Sequence, residues 1–454
     1  MSITSVCNWK NGRVNQTVSN SIAARWWYWA RQNLFNSWPN TILSIICIVI
    51  IYNAVWGIFS WAILNGIWEA KDRRECFAIL GKDEAGNPIQ GACWAGVREW
   101  FNNIIYGRYV KDEQWRVNLG ISILIVWMIP LWVPNLKRKF LIGFGAIGLY
   151  PFLASYLFLG GERSWFVSFM VSLAIITFCY NTVDWLGVKA FRVSLADSLR
   201  WKMVNRIFAE KQHTFALMGL FAIIAVILAF LIEDWILVDV SWVRMGGFHL
   251  TLVISGFAMT VGLPCGIVLA LGRRSRLPII KAFAVTFIEV FRSVPLITIL
   301  FMATAMFPLF MPEGFELNKL VQVIAAVCLF TSCYMAEIVR SGLQAIPKGQ
   351  FEAASSIGLG YWQSMGLVVM PQALKFMIPN IVSSFIGIFK DTTLVYIVGM
   401  FDILAMTRAM SNDVPWRGEF HEPFLMTAII FFICCYSMSQ YSQRLERKLS
   451  GENK

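Results

Sequence analysis

The chain has 454 residues, of which 57% are hydrophobic and only 15% charged, too few polar side chains to cover a water-soluble protein of this length. Its formal net charge of +12 does not point to nucleic acid, because the basic residues flank apolar runs instead of forming a patch on a polar domain. The 20 Trp and 35 Phe suit a protein whose rings sit at the headgroup level of a bilayer.

Residues 1–40 are mostly polar and lack the apolar core and cleavage site of a signal peptide. They read as a cytoplasmic tail, in which Arg25 and the aromatic run Trp26–Trp29 form either an interfacial segment or part of a disordered tail. A hydrocarbon core about 30 Å thick needs about 20 apolar residues per helix, and about ten such runs follow. They lie over Thr41–Ile63, Val117–Val133, Phe140–Leu159, Phe166–Trp185, Thr214–Ile232, Phe248–Leu271, Val294–Phe310, Leu320–Ile338, Ala373–Val398 and Phe424–Tyr441. The expected fold class is all-α, a polytopic membrane protein in contact with membrane lipid.

Lys and Arg in the short loops set the orientation. Arg25 and Arg31 before the first run, Lys137 to Lys139, the basic stretch from Lys189 to Lys211, Arg273 to Lys281, and Arg444 to Lys448 all fall on one side, which is therefore the cytoplasmic side. An even number of spans places both termini there. The segment 65–116 is then an external loop, and it carries Cys76 and Cys93, which form a disulfide on an oxidising side or remain two free thiols. The other cysteines within the runs read as packing residues. There is no CxxC pair, and His213, His249 and His421 stand at no metal-ligand spacing, so no metal site is expected.

The chain divides near Ser241 into an N-terminal membrane region, 41–240, and a part, 241–454, that holds every informative motif. Within the first, Gly187–His213 is basic and amphipathic and is expected to lie along the membrane surface. Within the second, the loop 340–371 carries the strongest signal. Pro347 and Gly349 interrupt the helix, and Phe351 to Ile357 can form a short separate one whose Ala353, Ala354, Ser355 and Ser356 leave it nearly bare. Gly358 ends it and Pro371 marks the start of the next span. Such an element suits the docking of another protein; an ordinary connection between two helices is the plainer alternative.

Glu352-Ala353-Ala354, then Gly358, then Pro371, resembles the EAA signature of ABC-importer permeases, with Met370 and Val368 as apolar departures from the usual Leu and Ile. The resemblance implies that this loop is the coupling helix, with Phe351, Glu352, Ala353, Ala354, Ile357, Gly358 and Pro371 serving the contact with an ATPase. Gly246-Gly247 before His249, Glu289 to Leu296, and Lys390 to Leu394 resemble the polar-amino-acid permeases, over Trp242 to Leu449. The long extension resembles the general L-amino-acid members. The resemblance implies a five-helix type I importer core, a cytoplasmic ABC ATPase dimer that holds ATP and Mg, a second related permease subunit, a periplasmic amino-acid-binding protein, and a bacterial inner membrane.

Glu289, Arg292, Lys390 and Asp391 lie within or at the edge of apolar runs, where an isolated charge costs roughly 2.5–3.5 kcal/mol on insertion scales. Glu289 and Arg292, three apart on a helix, are placed to pair with each other. These four, with the hydroxyls of Thr392 and Thr393, read as residues of a translocation path or gate, or as structural ion pairs at the membrane edge. The sequence has no GxxxxGK[ST] phosphate loop and no nucleophile–base pattern, so no cofactor and no enzymatic activity are expected in this chain. An ion-coupled secondary transporter and a non-transporting membrane scaffold are the alternative functions.

Overall fold

The computed structural model describes residues 22–81, 89–132, 139–160, 165–191, 224, 227, 237–312 and 317–450. The expected amphipathic stretch beyond Phe191, the run Thr214–Ile232 and His213 lie outside the described residues. The described chain is helical, with isolated bridges in place of strands, and it forms two compact units, Met1–Ala95 and Gly96–Lys454.

In the smaller unit, α1 (Ile22–Asn33) precedes α2 (Trp38–Phe59), which runs on through a π-helical turn at Ser60–Leu64. Pro39 sits in the first turn of α2, where the missing N–H costs nothing. α2 is apolar on every face and buries none of its side chains, the pattern of a helix solvated by lipid. Beyond it, α3 (Arg73–Leu80) is capped by Asp72, whose carboxylate accepts from the Glu75 N–H at 2.8 Å. Cys76 of this helix is joined to Cys93 by a disulfide. The Trp94 indole donates to the Ala62 carbonyl at 2.7 Å and stacks on Trp68 with ring centres 5.7 Å apart.

α4 (Trp94–Tyr106) leads into the larger unit, which continues with α5 (Gln114–Trp132), α6 (Lys139–Gly148), α7 (Tyr150–Leu159) and α8 (Trp165–Phe191). The run Phe140–Leu159, expected as one span, is interrupted at Leu149, two positions before Pro151; a proline lacks the N–H that would continue the ladder. After residue 237 come α9 (Gly247–Arg273), α10 (Pro278–Ser293), α11 (Leu296–Phe301), α12 (Lys319–Gln344), α13 (Lys348–Ser356), α14 (Tyr361–Ser364), α15 (Met370–Asp391), α16 (Ile403–Asn412) and α17 (His421–Ser450).

Among the described residues, five helical segments are long and apolar enough to cross a membrane: Trp38–Leu64, Gly247–Arg273, Lys319–Gln344, Tyr361–Val398 and His421–Arg447. The expected run Val294–Phe310 is not a straight span. It is the second arm of a pair with α10, bent by 105° at Val294 and Pro295. Pro371 does fall in the first turn of α15, but a π-helical turn at Met365–Val369 joins that helix to α14, so the helical chain begins at Tyr361.

Among the described residues, the most extensive helix–helix contact is between α9 and α12. Along α9 the buried positions Ile254, Ala258, Gly262, Gly266 and Ala270 recur every fourth residue, which places them on one face. Small side chains there let two backbones approach closely, the arrangement that holds helices together where the solvent is itself apolar. A methyl group on Gly262 would meet Thr331, and one on Gly266 would meet Met335 and the Ala336 backbone.

Polar contacts knit the extension together just ahead of α9, and ring contacts reach α9 itself. Tyr109 donates to the Phe158 carbonyl at 2.7 Å, and the Val240 N–H donates to Leu159 at 2.7 Å. The buried Arg116 pairs with Glu113 at 2.8 Å and donates to the Val238 carbonyl at 2.9 Å. His249 packs edge-on to the rings of Phe158 and Tyr109. Asp402 caps α16 by accepting from Ala405 at 2.9 Å; burial pushes its carboxyl up to about 6, against the opposing effect of that cap and of Arg408. At the far end of α16, Trp416 donates to Glu99 at 2.9 Å and Trp100 to Asp413 at 3.2 Å.

Two substitutions in α9 separate the interface from the lipid face. Gly266→Ala, which collides with Met335, is expected to destabilise the purified protein by about 1–3 kcal/mol. Gly256→Ala, with nothing within 4 Å of the added carbon, should be neutral or stabilise by up to about 1 kcal/mol. Melting in one detergent measures both, and equal midpoints for the two variants would contradict the packing described.

Candidate functional site

The loop between α12 and α15 holds the short separate helix that the sequence suggests, but the helix starts three residues earlier and takes in Gly349. α13 starts at Lys348 immediately after Pro347 and ends at Gly358, whose φ of +79° is the left-handed conformation that favours glycine. The Ile357 N–H donates to Ala353, that of Gly358 to Ser355 and that of Leu359 to Ala354, at 3.3, 3.0 and 3.1 Å. Ser355 and Ser356 turn their hydroxyls back onto the carbonyls of Phe351 and Glu352, so neither projects a free donor.

The faces of α13 are unlike. Glu352, Ala353, Ser355, Ser356 and Ile357 are exposed, Ile357 at 74%. Gly349 and Gly358 have open space where a side chain would be. Trp362 is 74% exposed, and Tyr361 and Leu367 are exposed beside it in sequence. Ala354 faces the other way and is 2% exposed. The side chain is enclosed by its own chain, where α13 packs on α14 and the π-helical turn. Phe351 is half-buried against the core beneath it, with the Arg274 guanidinium 5.4 Å above its ring. Gln372 donates to Gln350 at 3.0 Å and ties α13 to α15.

The charges at the membrane edge are arranged differently from the expectation. Glu289 and Arg292 do not pair with each other; each reaches to another helix. Glu289 meets Arg273, the last residue of α9, at 3.1 Å. Arg292 meets Glu337 of α12 at 3.2 Å. Glu337 also receives Arg273 at 3.5 Å and Arg340, whose Nε donates at 2.8 Å. Arg340 reaches on to Gln344 at 3.1 Å. The sequence marked Arg273 only as a cytoplasmic charge and did not single out Glu337 and Arg340, although these two stand three apart at the end of the apolar run Leu320–Ile338.

Lys390 and Asp391 lie elsewhere, at the end of α15, with Lys390 exposed and Asp391 half-buried. The hydroxyls of Thr392 and Thr393 donate to the carbonyls of Phe389 at 2.8 Å and Lys390 at 2.9 Å. They bind the 3-10 turn Thr392–Val398 to the helix, and Thr392 is buried. No ion pair among the described residues joins this group to Glu289 and Arg292.

A helical bundle with several spans long and apolar enough to cross a membrane defines a polytopic membrane protein. The pattern of the family described as "Binding-protein-dependent transport system inner membrane component" matches residues 262–451. The chain is 36% identical over 423 residues to the inner membrane amino-acid ABC transporter permease protein YhdY of Escherichia coli, covering 93% of this chain and 92% of that one. It is 39% identical over 428 residues to the glutamate/glutamine/aspartate/asparagine transport system permease protein BztC of Rhodobacter capsulatus, covering 94% of each. A solved structure of an amino acid ABC transporter with histidines overlaps 44% of this chain and 92% of its own, with a TM-score of 0.41 and 31% identity. The chain belongs to this family of binding-protein-dependent inner membrane components: it is a membrane-spanning permease subunit of an ABC importer, a transport component and not an enzyme. Membership implies an ATPase, in which ATP and Mg act, and a binding protein as its partners.

The two alanines of the motif should behave oppositely in the isolated subunit. Ala354→Arg places a charge in a closed space and is expected to lower stability by several kcal/mol. Ala353→Arg points outward and should change it by less than about 0.5 kcal/mol. Thermal unfolding of the two purified variants checks this, and an unperturbed Ala354→Arg would show that the side chain is not enclosed.

Proposed function

We propose that this chain is the permease of an ATP-driven importer of L-amino acids, taking polar or varied substrates from a periplasmic binding protein. The substrate class rests on the two relatives matched along nearly their whole length, one named for amino acids and the other for glutamate, glutamine, aspartate and asparagine. Its core is 241–454, and the spans of 41–240 are an addition to that core which both relatives share.

The observation that carries the mechanism is the outward face of α13. Glu352, Ala353 and Ile357 are exposed on a helix whose opposite side is closed by Ala354. A bare face beside exposed Tyr361 and Trp362 suits the cleft of a partner ATPase. Closure of the paired ATPases on ATP would draw two such helices together and rock the bundle between inward-facing and outward-facing states. The other half of the path comes from a second permease, related and distinct. Gly358 and Pro371 shape the loop; Phe351 anchors it. Glu289 and Arg292 act at the gate through their partners on α9 and α12. Lys390, Asp391, Thr392 and Thr393 line the approach to the path from the end of α15.

Affinity purification of the tagged chain from its native membrane is expected to recover an ATPase and a different permease. Ala353→Arg should lose the ATPase while keeping the second permease, because burying an unpaired charge at that contact costs several kcal/mol. Full ATPase recovery with Ala353→Arg would remove α13 as the docking element, and a membrane part composed of two copies of this chain would remove the heterodimer.

Both termini and the loop 340–371 are assigned to the cytoplasm, and 65–116 to the periplasm, on the distribution of Lys and Arg. A membrane-impermeant maleimide should label Lys71→Cys in intact cells and Lys348→Cys only after the membrane is opened. The reverse pattern would invert the topology.

A further inference from the structure

α10 has little apolar hold on its neighbours. It buries only Ala284 and Ile288, while Ile279, Ile280, Phe283 and Val290 are exposed. It also does not run on as a straight span, because the chain turns by 105° at its end. Beside that hold, to which the half-buried Phe291 adds, charges of both signs point from α10 to two different helices: Glu289 toward Arg273 of α9 at 3.1 Å, and Arg292 toward Glu337 of α12 at 3.2 Å. Glu337 joins the two halves of this arrangement, since Arg273 and Arg340 meet the same carboxylate. One carboxylate thus gathers three guanidiniums from three helices. Without it, Arg273, Arg292 and Arg340 would face one another with only Glu289 to offset them.

The same end of α9 touches the docking helix. Arg273 belongs to the charge network, and Arg274, the next residue, lies over the Phe351 ring of α13. Two adjacent guanidiniums therefore connect α13 on one side and the hold on α10 on the other. A displacement of α13 moves Phe351, and through Arg274 it bears on the point where the network attaches.

We propose that Glu337 is the positioning residue that couples movement of the docking helix α13 to α10: its carboxylate latches α9, α10 and α12 together in this state and exchanges its arginine partners when α13 moves. The inference rests on the importer reading given above.

The test uses the assembled transporter, with its ATPase and binding protein, in proteoliposomes, and reads amino acid taken up per ATP hydrolysed. Glu337→Gln keeps the shape and removes the charge; it is expected to lower that ratio about fivefold or more, the scale of an allosteric coupling, with the ATPase still bound. Glu337→Asp should stay within about threefold of the wild type. The exchange Arg292→Glu with Glu337→Arg should recover part of what either change loses alone, as a direct pair does in a double-mutant cycle. Arg292→Lys, which retains charge but not the planar fork, should give an intermediate ratio and provides a reading if Glu337→Gln fails to assemble. A wild-type ratio in Glu337→Gln or in Arg292→Lys overturns the proposal. So does an equal loss in Glu337→Asp and Glu337→Gln accompanied by an equal fall in melting temperature, which would make the carboxylate structural only. A wild-type complex that hydrolyses ATP without uptake would instead sink the importer reading.

Discussion

The close approach of α9 to α12 is the constraint on which the rest of the larger unit depends. In a bilayer the lipid tails are as apolar as the side chains, so burying Leu against Leu supplies little drive for two helices to meet. Contact has to come from fit. Gly262, Gly266 and the alanines spaced along α9 give that fit by removing side chains, and Thr331, Met335 and Ala336 occupy the space. Once this pair is set, the end of α9 at Arg273 and the last turns of α12 at Glu337 and Arg340 are brought to the same level, and the charge network follows.

That network shows how a membrane protein places charges at the boundary of its apolar layer. None of the five residues is isolated: each of Arg273, Glu289, Arg292, Glu337 and Arg340 has a partner on its own or a neighbouring helix. All remain partly open to solvent, with side-chain exposures between 22% and 56%. Ion pairs this wet contribute little to stability in themselves. Their value lies in geometry, because a pair that is easily exchanged can hold one arrangement of helices and then another.

Continuous apolar runs made the spans over Thr41–Ile63, Phe248–Leu271 and Leu320–Ile338 legible to within a few residues at most ends, since length and composition alone determine whether a helix can cross the hydrocarbon. The short helix of the 340–371 loop was equally legible from its proline, its glycine and its small residues. What composition does not carry is direction. Ala353 and Ala354 are identical and adjacent, yet one faces outward and the other fills a closed space, a difference decided by how α13 lies on the π-helical turn. The same holds for Glu289 and Arg292. Their spacing favoured a pair within one helix, but tertiary packing offered each a better placed partner. The bend at Pro295 was missed because it lies at the start of the run Val294–Phe310, while Glu289, Arg292 and Ser293 kept α10 from reading as an apolar run at all.

The disulfide between Cys76 and Cys93 has a consequence for how the molecule is made. A cross-link closing a loop of this size removes about 3 kcal/mol of freedom from the unfolded chain in the entropic account. Such a bond forms and lasts in an oxidising compartment. The stretch from α3 to the start of α4 therefore does not reach its final shape when the ribosome releases it or when α2 inserts. Its final shape waits on a separate chemical event, the oxidation that joins the two thiols.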